Sequence, residues 1–153
     1  MAKLTFEQML EQSKAAGTSR HNPQRHIEEN LQIACCRWFQ YQWGNFTIND
    51  EKIGALLHHS PNGGKRNLFE AKRFKAMGTR AGFPDLWLGI PVDGCPYLCI
   101  ELKTTESGSR QSEHQRNYER LVKAVGAKYI VVRTLQEFIQ AVNDYLAPLT
   151  SKK

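Results

Sequence analysis

The sequence predicts a single α/β domain in which a mixed sheet of about four strands is flanked by helices. Two apolar runs, residues 85–90 and 97–103, are separated by a segment with Gly94 and two prolines, which is typical of a hairpin. A third run, residues 128–133, follows a helical pattern over residues 112–125. Because a strand–helix–strand unit pairs its strands in parallel through a right-handed crossover, the sheet is expected to be mixed.

Helical spacing of apolar residues predicts the remaining long elements. Residues 27–42 carry an apolar face, residues 67–77 form a helix that Gly78 ends, and a last helix follows Thr134 and continues to about residue 146. Capping boxes at Ser112–Gln115 and Thr134–Glu137 mark two helix starts. Two helices have residues that are predicted to be buried. They are Ile27, Leu31, Ala34, Cys35 and Trp38 in the helix at 27–42, and Tyr118, Leu121, Val122 and Val125 in the helix at 112–125.

The flanks and connections are less regular. Residues 1–26 are predicted to be a short helix (5–15) and a flexible polar arm, residues 27–147 the domain, and residues 148–153 a basic tail. Residues 45–51 are predicted to be a turn, and residues 55–59 a short strand that the loop at 60–64 ends.

Charge favours a polyanionic partner. The 153 residues carry a net charge of +6, and six Lys or Arg against Glu70 alone make residues 65–80 the most basic segment. Such a segment is typical of contact with a phosphate backbone, although a solvated helix face has the same composition. No run of 18 apolar residues or signal-peptide pattern occurs, so a cytoplasmic location without a membrane partner is expected.

The cysteines do not indicate zinc. Cys35, Cys36, Cys95 and Cys99 form no CxxC pair, and no tetrahedral pattern with histidines occurs. Cys35 and Cys36 lie in an apolar helical pattern and Cys99 in an apolar strand, so reduced thiols are expected.

The chemically informative residues are Asp85, Glu101 and Lys103. Pro84 holds the preceding residue out of a helical conformation, so Asp85 begins a strand beside a loop. Side chains alternate along a strand, so Glu101 and Lys103 project to the same face. Charged groups in apolar strands are costly to bury without a partner, and a bound divalent cation would reduce that cost.

This set suits phosphodiester hydrolysis. Two carboxylates can hold Mg²⁺, a hard cation that prefers oxygen ligands, and the metal activates water and polarises the phosphate. A nearby lysine orients that water or neutralises developing charge. The alternative from the residues alone is a buried Asp–Lys–Glu ion-pair cluster without a metal.

The motifs together resemble those of the VRR-NUC branch of the PD-(D/E)xK nucleases. The resemblance rests on GFPDLWLG (82–89), CIELKT (99–104) and SEHQ (112–115), with EENLQIACCRWF (28–39) as the leading helix and SPNGGKR (60–66) as a loop. It covers residues 27–146. It implies a restriction-endonuclease-like domain that uses Mg²⁺ or Mn²⁺.

The resemblance also implies roles for individual residues. Asp85 and Glu101 match the metal-binding carboxylates, Lys103 the catalytic lysine, and Gln115 a glutamine that faces the active site. Gln115 could instead serve only as a helix cap. Glu28 and Glu29 compete as the further carboxylate on the leading helix, and Glu28 is preferred because at 100° per residue it borders the apolar face.

Two groups of residues are the candidates for nucleic-acid binding. A glycine pair followed by two cations suits close approach to a nucleic-acid backbone, although a plain surface turn explains it as well. The candidates are Asn62, Gly63, Gly64, Lys65 and Arg66 in the loop, and Lys72, Arg73, Lys75 and Arg80 in and after the helix that follows.

The function implied is that of a metal-dependent DNA endonuclease. Small stand-alone members that this chain resembles are homodimers that act on branched DNA, notably four-way (Holliday) junctions. The alternatives are a nucleic-acid-binding module with an inactive nuclease fold, a restriction-type enzyme that reads sequence, and a metal-free structural protein.

Overall fold

A four-stranded sheet organises the chain in this computed structural model, which describes Gln8, residues 23–61 and residues 67–151. In chain order the elements are α1 (Pro23–Trp43), β1 (Thr47–Ile48), β2 (Glu51–Lys52), a 3-10 turn (Gly54–Leu56), β3 (Leu57–His59), α2 (Leu68–Ala76), β4 (Leu86–Leu88), β5 (Leu98–Leu102), α3 (Glu113–Ala124), β6 (Lys128–Val132) and α4 (Leu135–Thr150). The sheet order is β3–β4–β5–β6.

The sheet is mixed, as the sequence predicts. β3 pairs antiparallel with β4, and β4 pairs antiparallel with β5 across the predicted hairpin. β5 pairs in parallel with β6, and α3 forms the crossover between them. The predicted α/β class, with a mixed sheet of four strands, is therefore confirmed. None of the described helices is long and apolar enough to cross a membrane.

Each face of the sheet packs against helices, and the main core lies on one side. There, Ile100 and Leu102 contribute to a cluster with Phe39 of α1 and Phe138 of α4. Phe39 and Phe138 are fully buried, and truncating a buried phenylalanine to alanine typically costs about 3–5 kcal/mol. Trp38 also joins this core and meets Phe138 edge to face, with ring centroids 5.8 Å apart.

The opposite face carries a smaller apolar cluster. It consists of Cys99, Val122, Ala127 and Tyr129, with Trp87, Tyr97 and Tyr118 at its edge. Because side chains alternate along β5, the residues on this face with Cys99 are Glu101 and Lys103. The smaller cluster leaves one end of this face to polar side chains.

The structure corrects several predicted boundaries. α1 begins at Pro23, inside the predicted flexible arm, since proline suits the first helical turn. The predicted strand at 55–59 starts only at Leu57, after the 3-10 turn. α4 continues to Thr150 with Pro148 inside it, so the predicted tail starts as helix. The predicted helix at 5–15 lies outside the described residues, apart from Gln8.

The predicted turn at 45–51 is instead a small hairpin of β1 and β2. Thr47 pairs with Lys52 and Ile48 with Glu51. The two residues between them, Asn49 and Asp50, have φ angles of 50° and 67°. Asparagine and aspartate tolerate this left-handed region, and two such residues in succession are what the tightest hairpin loop requires.

Three residues predicted to be buried are exposed. Ile27 is 44% exposed near the start of α1, and Leu121 and Val125 are 65% and 64% exposed on α3. Val122 is buried, and Tyr118 is half-buried at the edge of the smaller cluster. The apolar face of α3 is therefore narrower than the sequence predicts. All four cysteines are free thiols, as expected.

Candidate active site

Glu101 is the centre of the candidate site. It lies on β5, where every residue is buried, and its side chain has no exposed surface. Three groups donate hydrogen bonds to its carboxylate: Lys103 Nζ and Gln115 Nε2 to Oε1, and the Tyr129 hydroxyl to Oε2. The Lys103 bond is 2.7 Å long and the Tyr129 bond 3.1 Å. A buried carboxylate with three donors is held in one position.

Asp85 lies beside Glu101 on the neighbouring strand. One step beyond the Leu86–Ile100 pair of the antiparallel register, Asp85 faces Glu101. Its Oδ2 accepts a 2.8 Å hydrogen bond from the backbone N–H of Leu102, which fixes the carboxylate between β4 and β5. The backbone is fixed as well, because His59 Nδ1 lies 2.8 Å from the Asp85 carbonyl oxygen and donates to it.

The surroundings of Glu101 alter its charge state. Burial and, secondly, the negative charge of Asp85 raise the pKa of Glu101 to about 7. The hydrogen bond and charge of Lys103 and the hydrogen bond of Tyr129 act in the opposite direction. When both carboxylates are ionised, their two negative charges exceed the single positive charge of Lys103, which favours an added cation.

These residues fit a divalent metal ion. Asp85 Oδ1 has no hydrogen-bond partner among the described residues, and Glu101 Oε2 accepts only the Tyr129 hydroxyl. Both are hard oxygen donors of the kind that Mg²⁺ and Mn²⁺ prefer. Within residues 27–61 and 67–151, no group of three or more His, Cys, Asp or Glu side chains could hold a metal ion. Two carboxylates plus waters is a set that Mg²⁺ commonly accepts.

Gln115 combines two roles that the sequence presents as alternatives. It occupies the third position of α3, where its Oε1 accepts from the backbone N–H of Ser112 at 2.7 Å. The Ser112 hydroxyl accepts from the Gln115 N–H, which completes the capping box. The free end of the amide, Nε2, donates to Glu101. The start of α3 is thereby tied to the buried carboxylate.

Glu28 is not among the residues that the structure brings together here. It is half-buried on α1 while Glu29 is exposed, in agreement with the predicted positions on the helix. No described contact joins Glu28 to Asp85 or Glu101, and the described residues contain no three-carboxylate cluster. Its role as a metal ligand stays a prediction.

The candidates for nucleic-acid binding divide into two groups. Asn62, Gly63, Gly64, Lys65 and Arg66 lie outside the described residues. Lys72, Arg73 and Lys75 are exposed on α2, a helix without any buried residue. Arg80 is exposed, and its guanidinium donates to the Lys75 carbonyl at 3.3 Å and the Thr79 carbonyl at 3.5 Å. It lines a cleft of about 400 Å³ with Phe83 and Tyr118.

Sequence reasoning missed Tyr129, His59 and the packing of Gly82. Tyr129 reaches Glu101 because the parallel register places it beside Cys99, on the same face. Gly82 has φ +84°, and a Cβ atom there would overlap the backbone of His114 and lie 2.8 Å from the Gln115 nitrogen. A single polar hydroxyl in the apolar run 128–133 was the available signal for Tyr129.

Comparison with solved structures identifies the fold of this chain. A solved structure described as "VRR_NUC domain protein" has a TM-score of 0.65 and 24% sequence identity over 80% of this chain and 89% of that one. The chain has the fold of a VRR-NUC domain. No protein-family model and no curated protein matches the sequence.

The VRR-NUC fold confirms the resemblance on which the sequence prediction rests. At 24% identity the likeness is one of fold, so what this chain does is argued from its own residues.

Proposed function

We propose that this VRR-NUC domain is a metal-dependent DNA endonuclease that hydrolyses phosphodiester bonds. The observation that carries the proposal is the convergence of Asp85, Glu101 and Lys103 on one sheet face, with Glu101 fully buried. Two adjoining carboxylates and a lysine are the groups that metal-assisted phosphodiester hydrolysis needs. The alternative is a nucleic-acid-binding module with an inactive nuclease fold.

Asp85 and Glu101 would hold Mg²⁺ or Mn²⁺, which supplies Lewis acidity and lowers the pKa of a bound water. Asp85 is fixed by the Leu102 N–H, and Glu101 by its three donors, so both carboxylates are oriented before substrate arrives. Glu28 is proposed as a further ligand from the leading helix.

Lys103 has the position of a charge-stabilising group. Its side chain is 12% exposed, and its ammonium lies 2.7 Å from Glu101 Oε1. An ammonium has three N–H donors, so the bond to Glu101 leaves donors for the attacking water or a phosphoryl oxygen. Gln115 keeps the Glu101 carboxylate turned toward Lys103.

The proposal extends to the form of the DNA. A preference for branched DNA such as four-way junctions, and action as a homodimer, rest on the resemblance carried by GFPD, ELK and SEHQ. A two-fold dimer offers two active sites to two strands, which suits a symmetric junction. Lys72, Arg73, Lys75 and Arg80 on and after α2, with the loop 62–66, are proposed contacts to the phosphate backbone.

The test is a cleavage panel. Labelled four-way junction, flap, single-stranded and linear duplex DNA are incubated with Mg²⁺, Mn²⁺ or EDTA. Wild-type protein is compared with Lys103→Ala and with Lys128→Ala, a control that removes an exposed lysine at the other end of the β5–β6 pair. We expect metal-dependent cutting that falls about 100-fold or more in Lys103→Ala and not in Lys128→Ala.

Each other outcome has a definite meaning. Equal cutting of linear duplex keeps the nuclease and removes the junction preference. Cutting that survives Lys103→Ala excludes this site as its source. DNA binding without any cutting supports the inactive module.

A further inference from the structure

A second cleft lies beside the candidate active site and is lined mainly by arginines. Its volume is about 630 Å³, and its walls are Arg110, Gln111, Arg116, Val131, Arg133 and Glu137. These residues come from the loop after β5, the first turns of α3 and α4, and the end of β6. Three cations and one carboxylate therefore surround this space.

The arginine cleft continues the face that carries the candidate active site. In the parallel register Val131 pairs with Glu101, so the two side chains share a face. Arg133 directly follows β6 and Lys103 directly follows β5, so an extension of the register by one residue makes them neighbours. Adjacent strands are about 4.8 Å apart. A strand of DNA that crosses Lys103 therefore meets Arg133 and its neighbours next.

Two of the three arginines, Arg116 and Arg133, are held in place by backbone groups and not by acidic side chains. Arg133 donates to the carbonyl oxygens of Thr104 and Ser109, the latter at 2.9 Å. Arg116 donates to the Gln111 carbonyl at 2.7 Å. A guanidinium has five N–H donors, so both retain donors for a ligand.

The positive charge of the cleft is not neutralised within the described chain. Arg110 is exposed and forms no hydrogen bond or ion pair with any described residue. The Glu137 carboxylate accepts a 2.6 Å bond from the backbone N–H of Arg133 and forms no ion pair with the three guanidinium groups. Like charges in one cleft repel, and an anion that bridges them removes that repulsion.

We propose that the arginine cleft binds the sugar–phosphate backbone of the DNA strand that passes through the active site, next to the phosphate to be cut. The proposal rests on the nuclease function proposed above. Planar guanidinium groups match phosphate oxygens in pairs. None of the six lining residues is aromatic, so the walls offer no ring on which a base could stack. The cleft thus positions the backbone without reading sequence.

The experiment measures how DNA binding depends on salt. Wild-type protein, Arg110→Gln/Arg116→Gln and Arg37→Gln/Arg120→Gln are titrated with labelled single-stranded and junction DNA in EDTA. The control pair removes the same charge from exposed positions outside the cleft, on α1 and on the body of α3. Melting temperatures verify that each variant is folded, and Arg110→Gln alone is the second variant if the double one is not.

We expect the slope of log K against log salt to become shallower by about 1 for each arginine that loses a phosphate. The double cleft variant should change the slope by about 2, Arg110→Gln by about 1, and the control pair by much less. Glu137→Gln, which keeps an acceptor for the Arg133 N–H, should strengthen binding.

The two proposals fail in different ways. Equal slopes for the cleft and control variants would overturn the arginine cleft and leave the nuclease standing, provided that the cleavage panel shows metal-dependent cutting. Absence of wild-type cutting refutes the nuclease whatever the slopes are. Absence of any wild-type DNA binding refutes both.

Discussion

Replacing Gly82 with alanine tests how tightly the active-site loop is packed. Gly82 precedes the Phe–Pro–Asp sequence and lies against the start of α3, with φ +84°. An added Cβ would overlap the His114 carbonyl group and lie 2.8 Å from the Gln115 nitrogen. Since these are backbone atoms of a capped helix, they cannot rotate away. Either the loop that carries Asp85 or the helix that carries Gln115 must move.

The size of the effect follows from two contributions. A left-handed backbone conformation costs a residue with a Cβ about 1–2 kcal/mol. Forcing an extra methyl group into a packed region costs about 1–3 kcal/mol more. Gly126, after α3, has φ +80° and nothing within 4 Å of an added Cβ, so Gly126→Ala carries only the first cost. Gly82→Ala should therefore destabilise the fold by about 1–3 kcal/mol more than Gly126→Ala.

The assay is thermal or urea unfolding of the two variants side by side, followed by the cleavage assay below both melting temperatures. For a domain of this length, 1 kcal/mol shifts Tm by about 2–4 °C, so the middle of the range gives a gap of about 6 °C. Gly82→Ala should also lose cleavage, while Gly126→Ala retains it. Equal melting temperatures for the two variants would refute the close packing of Gly82 on α3.

Three further predictions concern the charged centre of the site. In EDTA, the stability of wild-type protein relative to Glu101→Gln should fall as pH rises from about 4.5 to above 7, because the raised pKa of Glu101 (about 7) means that the folded state favours the protonated form. The full change is about 3 kcal/mol in urea unfolding, and a pH-independent difference would contradict it. Tyr129→Phe removes a hydrogen-bond donor to Glu101, so it should move this pH-dependent loss of stability to higher pH and lower the free energy of unfolding at pH 8 by about 1.5–3 kcal/mol. If the pH dependence does not move, the hydroxyl does not stabilise the charge of Glu101. Ser112→Ala should cost about 1 kcal/mol and keep cleavage, while Gln115→Ala should lose cleavage as well; matching cleavage rates would make Gln115 a cap alone.

The sequence predicts the site best where local rules apply. Alternation along β5 places Glu101 and Lys103 on one face, as in the structure. Pro84 predicts that Asp85 begins a strand, and in the structure Asp85 directly precedes β4. The capping box at Ser112 follows from a spacing of three residues. These rules depend on neighbours in the chain, so a single sequence is sufficient for them.

Contacts between segments that are distant in the chain could not be predicted from the sequence. Tyr129 meets Glu101 only because of the register between β5 and β6, which no local pattern specifies. Arg110, Arg116 and Arg133 are scattered along the chain, so their shared cleft could not be seen as a basic segment. Composition reveals only clusters of charge that are continuous in sequence, such as residues 65–80, so it does not indicate this cleft.

Some predictions were wrong about the burial or the pairing of segments whose local conformation was predicted correctly. α3 is helical as predicted, but Leu121 and Val125 are exposed because the cluster beneath it is small. The hairpin of β1 and β2 was missed because Asn49 and Asp50 indicate a turn without revealing the two short strands around it. Helical periodicity and turn chemistry identify an element, whereas its partners decide how much of it is buried.

The absence of any buried residue in α2 has a consequence for motion. This nine-residue helix is held by the Asn67 cap, which accepts from the Glu70 N–H at 2.8 Å, while Leu68 and Phe69 are 83% and 78% exposed. Helices shorter than about 12 residues are marginal in water without tertiary packing. Its amide hydrogens should therefore exchange with solvent far faster than those of α4, through local opening that leaves the sheet intact. A molecule that binds α2 must also suppress this local opening. The conformational entropy lost in ordering the helix therefore offsets part of the binding free energy.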